Sequence, residues 1–270
     1  MGLPADTNDW FSANWPVPAR VRTLVTTRHG GVSHAPYAEC NLCLRVGDRQ
    51  ADVLANRARL RQRLPSEPFW LQQVHGTRVV CAEKYNVVHP ISADASFTRA
   101  GGVVCAVLTA DCLPVLLSDR QGSVVAAVHA GWRGLCAGVL ESTLAAIGVI
   151  PAELMAWFGP AIGPDAFEVG DEVRAAFVAY DKQSTAAFKV IGKNKYLADL
   201  YMLARRRLNA AGVTAIYGAE YCTVRDQARF FSYRREGRTG RMASLIWFSP
   251  NNAERAQDSS LGVAGTLRGK

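Results

Sequence analysis

The chain has 270 residues, 49% hydrophobic and 20% charged, with 31 lysines and arginines against 23 acidic residues and a net charge of +8. That balance belongs to a globular protein with a substantial core and excludes a low-complexity or fibrous chain. No apolar run approaches the roughly 20 residues of a membrane helix, and the opening MGLPADTNDW lacks the basic and apolar segments of a secretory signal.

Residues 1–19, rich in Pro and Trp, carry no periodicity. A β-branched run, Val21 to Thr27, predicts a strand, and RHGGVSHAPYAECNL after it predicts a loop turning at Gly30-Gly31. Asp52 to Leu64 has helical spacing with a basic outer face. Phe69 to Gly76 reads as a strand entering a turn. Strands follow at 103–109, 114–118 and 123–129, then a helix from about Leu135 to Ile147, stopped by Gly148 and Pro151. A short strand at Met155–Phe158 leads into GPAIGP. Helices are expected over Asp171–Tyr180 and Leu197–Ala211, and closing strands over Ala215–Tyr221 and Arg241–Phe248. Residues 251–270 are polar and small and predict a tail. Without an internal repeat or linker, the pattern favours one α+β domain over 20–250.

Seven cysteines, an odd number scattered along the chain, argue against a disulfide framework and for a reducing compartment, so the cytoplasm is expected. Asp6 stands where a myristoylation motif takes Ser or Thr. Cys40 and Cys43 form a C-x-x-C, but no second pair completes a zinc site. The positive charge suits nucleic acid or small phosphate-bearing or phosphate-dependent partners, and equally suits mere solubility.

The chemistry gathers in the middle strands. The runs 114–118 and 123–129 are joined by Asp119-Arg-Gln-Gly122, a connection suited to a type I turn. With Ser118 opposite Ser123, Cys112 would face His129 across the ladder, close enough to share a metal ion or a proton. His75, in Gln72-Gln-Val-His-Gly76, is a third candidate. Two histidines and a cysteine with a fourth position open are an accepted set for catalytic zinc, and would also suit copper. Each of these residues has an ordinary structural alternative as a satisfied core or strand-end side chain.

QQVHG, LTADCLPVLLSD, VHAGWRG, GPAIGPDAFEVG and FFSYRREGRTGRMASLIW together closely resemble the YfiH/YlmD-like family, formerly labelled polyphenol oxidase or "laccase domain" and now regarded as purine nucleoside phosphorylases. The resemblance runs from about Thr23 to Trp247. It implies a sandwich of mixed sheets flanked by helices in α/β/β/α layers. It implies zinc held by His75, Cys112 and His129 as the catalytic group. It also implies phosphorolysis of adenosine, inosine, guanosine and methylthioadenosine, with adenosine deamination as a second activity. The partners would then be a purine nucleoside and inorganic phosphate, and a monomer is expected. The chain departs from the pattern at Cys43, where the family's N-L-G-x-x-V-G-D commonly has glycine, and at Arg225, where a cysteine is frequent.

Arg133 is the leading phosphate candidate: it stands beside His129 at a helix start, and guanidinium makes forked contacts with phosphate. Arg28, Asn41, Asp111, Tyr233 and Arg234 complete the expected substrate-binding set. Asp111 could be an acid/base or only orient its loop, and a purine could stack on Phe230, Phe231 or Tyr233. His29, His34 and His89 are expected in loops, Cys81, Cys105, Cys136 and Cys222 as packed thiols, and Arg205-Arg-Arg207 as a solvated helix face. Other readings are a metal-free hydrolase with Cys112 as nucleophile and His129 as base, and a nucleic-acid-binding module using Arg225 to Arg241, though no recognised motif supports the latter. A multicopper oxidase needs more ligands than the five histidines offer.

Overall fold

The computed structural model describes residues 10–85 and 90–249. Two sheets stack face to face. The smaller is antiparallel, with β14 (Met242–Phe248) between β1 (Val21–Val25) and β6 (Val104–Thr109). The larger runs β13 (Ala215–Gly218), β9 (Leu154–Phe158), β7 (Leu113–Asp119), β8 (Val125–Ala130), β5 (Ala95–Thr98), β3 (Val79–Cys81). Its outer pairs, β13–β9 and β3–β5, are parallel, and the others are antiparallel.

Strand alternation explains the stacking, because successive side chains leave opposite faces. Val125 and Ala127 of β8 and Leu116 of β7 meet Cys105, Val107, Ile246 and Phe248 of the smaller sheet. Ala126, Val128, Leu113, Val115 and Leu117 face the other way, onto α3 (Val139–Ile147) and α5 (Leu200–Ala210). With both faces covered, every residue of β7 and β8 is buried, so these strands read as continuous apolar runs. On the outer face of the smaller sheet, Val104, Ala106, Ala243 and Leu245 pack against Leu60 of α1 (Gln50–Arg61). The layers are therefore helix, sheet, sheet, helix in a single α+β domain. A two-stranded ladder, β2 (Leu71–Gln72) with β4 (Ile91–Ser92), and a three-stranded one, β10 (Glu168–Gly170), β12 (Lys195–Ala198) and β11 (Phe188–Gly192), decorate it. No helix among the described residues is long and apolar enough to cross a membrane.

Several expectations are corrected. The helix foreseen from Leu135 starts earlier and is broken: α2 (Trp132–Ala137) ends at Gly138, whose φ of 101° only glycine adopts freely, and α3 begins anew. The helix foreseen from Leu197 starts at Leu200, where Asp199 caps it by accepting a hydrogen bond from the Met202 N–H at 2.8 Å, and the residues before it are strand. Only Leu71–Gln72 of the 69–76 run is strand. Helix α4 (Asp171–Tyr180) lies where expected, and α6 (Tyr233–Glu236) is a single turn. Arg207 is not on a solvated face: it is 7% exposed, and its Nε donates to Glu141 at 2.7 Å, tying α5 to α3.

The β7–β8 register also differs. Ser118 faces Val125 and Pro114 faces His129, so Cys112 does not lie directly opposite His129. The cause is Asp119, whose carboxylate accepts the N–H groups of Ser123 at 2.6 Å and Val124 at 3.1 Å and holds Ser123 within the loop. A slip of two positions keeps each side chain on its face, so proximity survives while opposition does not. Pro114 costs no bond to β8, because the His129 N–H points the other way, to the Asp94 carbonyl at 2.7 Å.

Candidate metal centre and its cleft

Cys112 lies in the tight connection between β6 and β7, His129 near the end of β8, and His75 in the loop after β2. One ligand atom from each lies within 4.8 Å of the others, with Cys112 Sγ 3.8 Å from His75 Nε2 and the two imidazole rings 4.8 Å apart, edge to face. His129 is buried, Cys112 half-buried and His75 exposed, so the group opens to solvent on one side. Gly131 allows the closure: a Cβ there would sit 2.9 Å from both the Cys112 sulfur and the His75 ring.

Asp94, which the sequence reading missed, holds this arrangement. Its side chain is fully buried between the ligand-bearing segments. Oδ1 contacts His129 Nδ1 at 2.8 Å and accepts the His75 N–H at 2.9 Å, while Oδ2 accepts the N–H groups of Val74 at 3.2 Å and Gly76 at 2.7 Å. Three successive N–H groups turned onto one carboxylate stabilise the left-handed backbone of His75, at φ 60°, which a non-glycine residue otherwise adopts at a cost. With Nδ1 engaged, His129 is left with Nε2 for the ligand group, the usual role of a supporting carboxylate. Gln73 adds a second tie, its side-chain amide donating to the Leu108 carbonyl and accepting the Leu108 N–H, both at 2.8 Å.

Charges follow the geometry. Burial alone would raise the Cys112 thiol, but the charge of His129 and hydrogen bonds from both imidazoles outweigh it and bring the thiol down to about 6. Burial would likewise depress His129, yet the Cys112 thiolate and Asp94 raise it to about 9. Burial works against charge on Asp94 too, and hydrogen bonds from His129 and the loop N–H groups hold it below the usual carboxylate range. Buried Cys105, without such neighbours, is pushed up to about 12 by burial. A soft thiolate and two imidazoles with one open side fit a four-coordinate zinc ion and would also accept copper. Among the described residues no other histidine joins this group: His29 contacts the Ala228 carbonyl and His34 lies by Asp52, and His89 falls outside the described residues.

The three ligands line a cleft of about 650 Å³, together with Arg133, Asp111, Tyr233 and Arg234. Arg133 is exposed, its guanidinium 4.4 Å above the Trp132 ring. It belongs to the six-residue α2 and not to a long helix, so its affinity for anions rests on the guanidinium itself. Asp111 uses one oxygen to accept the Thr223 hydroxyl at 2.6 Å and the other to accept the Arg234 N–H at 2.6 Å, the geometry of a loop tie. Phe230 and Phe231 are fully buried core residues, leaving Tyr233, 59% exposed, as the member of that aromatic run open to a ligand. Arg28 and Asn41 do not line the cleft. Arg28 pairs with Glu236 at 3.0 Å, and Asn41 is buried, shaping the 41–43 turn from behind. In the basic 225–241 segment, Arg225 pairs with Asp165, Arg229 with Asp226 and Arg235 with Glu236, while Arg234 and Arg241 donate to backbone carbonyls.

A family model described as "Multi-copper polyphenol oxidoreductase laccase" matches residues 22–249. Purine nucleoside phosphorylase YfiH of Escherichia coli is 53% identical over 237 residues, 86% of this chain and 96% of the relative. The chain belongs to the YfiH/YlmD-like family. Within that family, purine nucleoside phosphorylase PA4543 of Pseudomonas aeruginosa is 54% identical over 241 residues, 89% of this chain and 98% of the relative. Among solved structures, Neisseria meningitidis protein NMB0706 superposes with a TM-score of 0.87 at 51% identity, covering 89% of this chain and 99% of that one. YlmD of Geobacillus stearothermophilus gives 0.80 at 31% identity, over 86% and 93%.

Proposed function

We propose that the chain is a zinc-dependent purine nucleoside phosphorylase that converts adenosine, inosine, guanosine or methylthioadenosine and phosphate to the free base and the sugar 1-phosphate, acting as a monomer in the cytoplasm. The observation that carries this reading is the His75–Cys112–His129 group, braced by Asp94 and opening into an arginine-lined cleft. The relatives named purine nucleoside phosphorylases support the phosphorylase part of this reading. The bound ion would supply a Lewis acid, and a means of activating water for adenosine deamination as a second activity. In the phosphorolysis, Arg133 holds the phosphate by forked contacts, aiming one oxygen at the sugar carbon while the bond from that carbon to the purine nitrogen breaks. Tyr233 offers a face on which the purine stacks, and Asp111 keeps the walls of the cleft in register. Asp94 keeps His129 in one tautomer.

One observation favours a second reading. Asp94, His129 and Cys112 form a chain of carboxylate, imidazole and lowered-pKa thiol, the constellation of a metal-free Cys–His hydrolase. Metal quantification paired with a phosphate-dependent adenosine assay separates the two. The phosphorylase reading expects about one zinc per chain, adenine release that requires phosphate, and loss of turnover on chelation. Full activity without metal, or activity indifferent to phosphate, overturns it.

A further inference from the structure

Three of the arginines lining the cleft have guanidinium groups placed against an aromatic ring: Arg133 4.4 Å from the centre of Trp132, Arg234 5.5 Å from Phe167 and Arg241 5.7 Å from Tyr233. Phe167 is buried, and Arg234 is drawn to the turn around it, donating to the Ala166 carbonyl at 3.5 Å and the Glu168 carbonyl at 2.9 Å. Tyr233 is the exposed ring, so the cation beside the face open to a base is Arg241. Its Nη1 donates to the carbonyls of Thr239 at 2.8 Å and Gly240 at 3.0 Å. Among the described residues nothing takes up its Nε or Nη2, and no carboxylate pairs with it. Glu236, the acid nearest in sequence, is held by Arg28, Arg235 and Thr239.

The backbone around Arg241 is fixed as firmly as the side chain. Its N–H donates to the Oδ1 of fully buried Asn41 at 3.0 Å, and its carbonyl accepts the Leu42 N–H at 3.3 Å. The next residue, Met242, opens β14 and pairs with Thr109 at the end of β6, from which the chain runs through Ala110 and Asp111 to the ligand Cys112. The same sheet edge therefore carries the thiolate of the metal group and a half-buried, uncompensated guanidinium. Such a group, already oriented and bound to the protein on one side, needs no reorganisation to meet charge that appears in the cleft.

We infer that Arg241 is a catalytic residue that activates the leaving group, its guanidinium donating to the purine ring as the bond to the sugar breaks. This rests on the phosphorylase reading and on Tyr233 as the platform for the base. In phosphorolysis a phosphate oxygen supplies the electron pair of the new bond to the sugar carbon, and the pair of the carbon–nitrogen bond departs with the purine. The base leaves as an anion, and the proton shed by the new sugar phosphate ends on it through water. Negative charge on the ring nitrogens develops as that bond breaks, so a cation fixed beside the base stabilises the transition state more than the bound nucleoside. Arg133 and Arg241 then divide the reaction, one holding the nucleophile and the other the leaving group.

The test is steady-state phosphorolysis of guanosine and of 7-methylguanosine by the wild type, Arg241→Gln and Arg241→Lys, each checked for metal content and melting curve. Methylation at N7 makes the base cationic before the bond breaks, so it departs neutral and needs no positive neighbour. Arg241→Gln is expected to keep its metal and to lose about 100-fold in kcat on guanosine, with the KM for phosphate held within about twofold. On 7-methylguanosine it should be at least as fast as the wild type. Arg241→Lys, which keeps a charge without the planar fork, should regain about tenfold of the loss on guanosine. Equal losses on the two nucleosides, undiminished kcat on guanosine in Arg241→Gln, or a raised KM for phosphate with kcat kept would each overturn the inference and leave the phosphorylase reading standing. A wild type that releases no base from any nucleoside in response to phosphate defeats that reading and this inference with it.

Discussion

The loop spanning 159–167 contributes to two clefts that use the same residue types to opposite effect. In one, of about 330 Å³, Arg225 and Arg229 are neutralised by Asp165 and Asp226 at 2.9 and 2.6 Å, and Cys222 accepts the Gly163 N–H at 3.3 Å. In the other, Arg45 and Arg133 have no carboxylate partner among the described residues and Cys112 faces two imidazoles. A cysteine beside arginines marks neither cleft as a site. What separates them is whether the polar groups have spent their bonding capacity on the protein, as Cys222 has, or hold it toward the opening, as Cys112 does.

The comparison can be broken by substitution. Cys112→Ala or His129→Ala should abolish metal binding and lower turnover by about a thousandfold, since a Lewis acid supplies several kcal/mol in the transition state. Metal analysis alongside the assay reads both effects, and intact turnover in either variant would erase the distinction. Asp94→Asn preserves size but weakens the charged contacts to His129 and to the 74–76 N–H groups, so a loss of about 10–100-fold in zinc affinity is expected from competition with a chromogenic chelator. Arg133→Ala should keep its zinc and raise the KM for phosphate by about tenfold or more. A change confined to the nucleoside KM would assign Arg133 to the base or sugar instead. The smallest effect belongs to the other cleft. Arg225→Ala should shift stability by no more than about 0.5 kcal/mol in urea unfolding and leave turnover unaltered, because the ion pair it removes is largely exposed.

Much of this was legible in the sequence, for reasons that also mark where legibility ends. β-Branched and apolar runs give the central strands, and the strand-end histidines and Cys112 stand out because such residues interrupt those runs. The hairpin register failed by two positions because Asp119 spends its carboxylate on Ser123 and Val124, a side-chain interaction that no strand periodicity encodes. Asp94 went unseen because a lone acid in ISADASF looks like an ordinary polar residue until three N–H groups and an imidazole converge on it from distant segments. Its flanking alanines, in a stretch short of other charge, were the available hint of a buried carboxylate. Arg207 misled in the opposite direction, since its partner Glu141 lies on another helix. The long helix expected after His129 was split by Gly138, whose positive φ becomes evident only once the chain has to turn there.

The central claim is that one ion, gripped by a thiolate and two imidazoles, makes this cleft reactive toward a nucleoside and phosphate. Titrating zinc into chelator-stripped protein while following phosphate-dependent adenine release tests it most directly. Activity should rise linearly and level off at one equivalent in the wild type, and should stay flat in Cys112→Ala. Full turnover before any zinc is added would contradict the account.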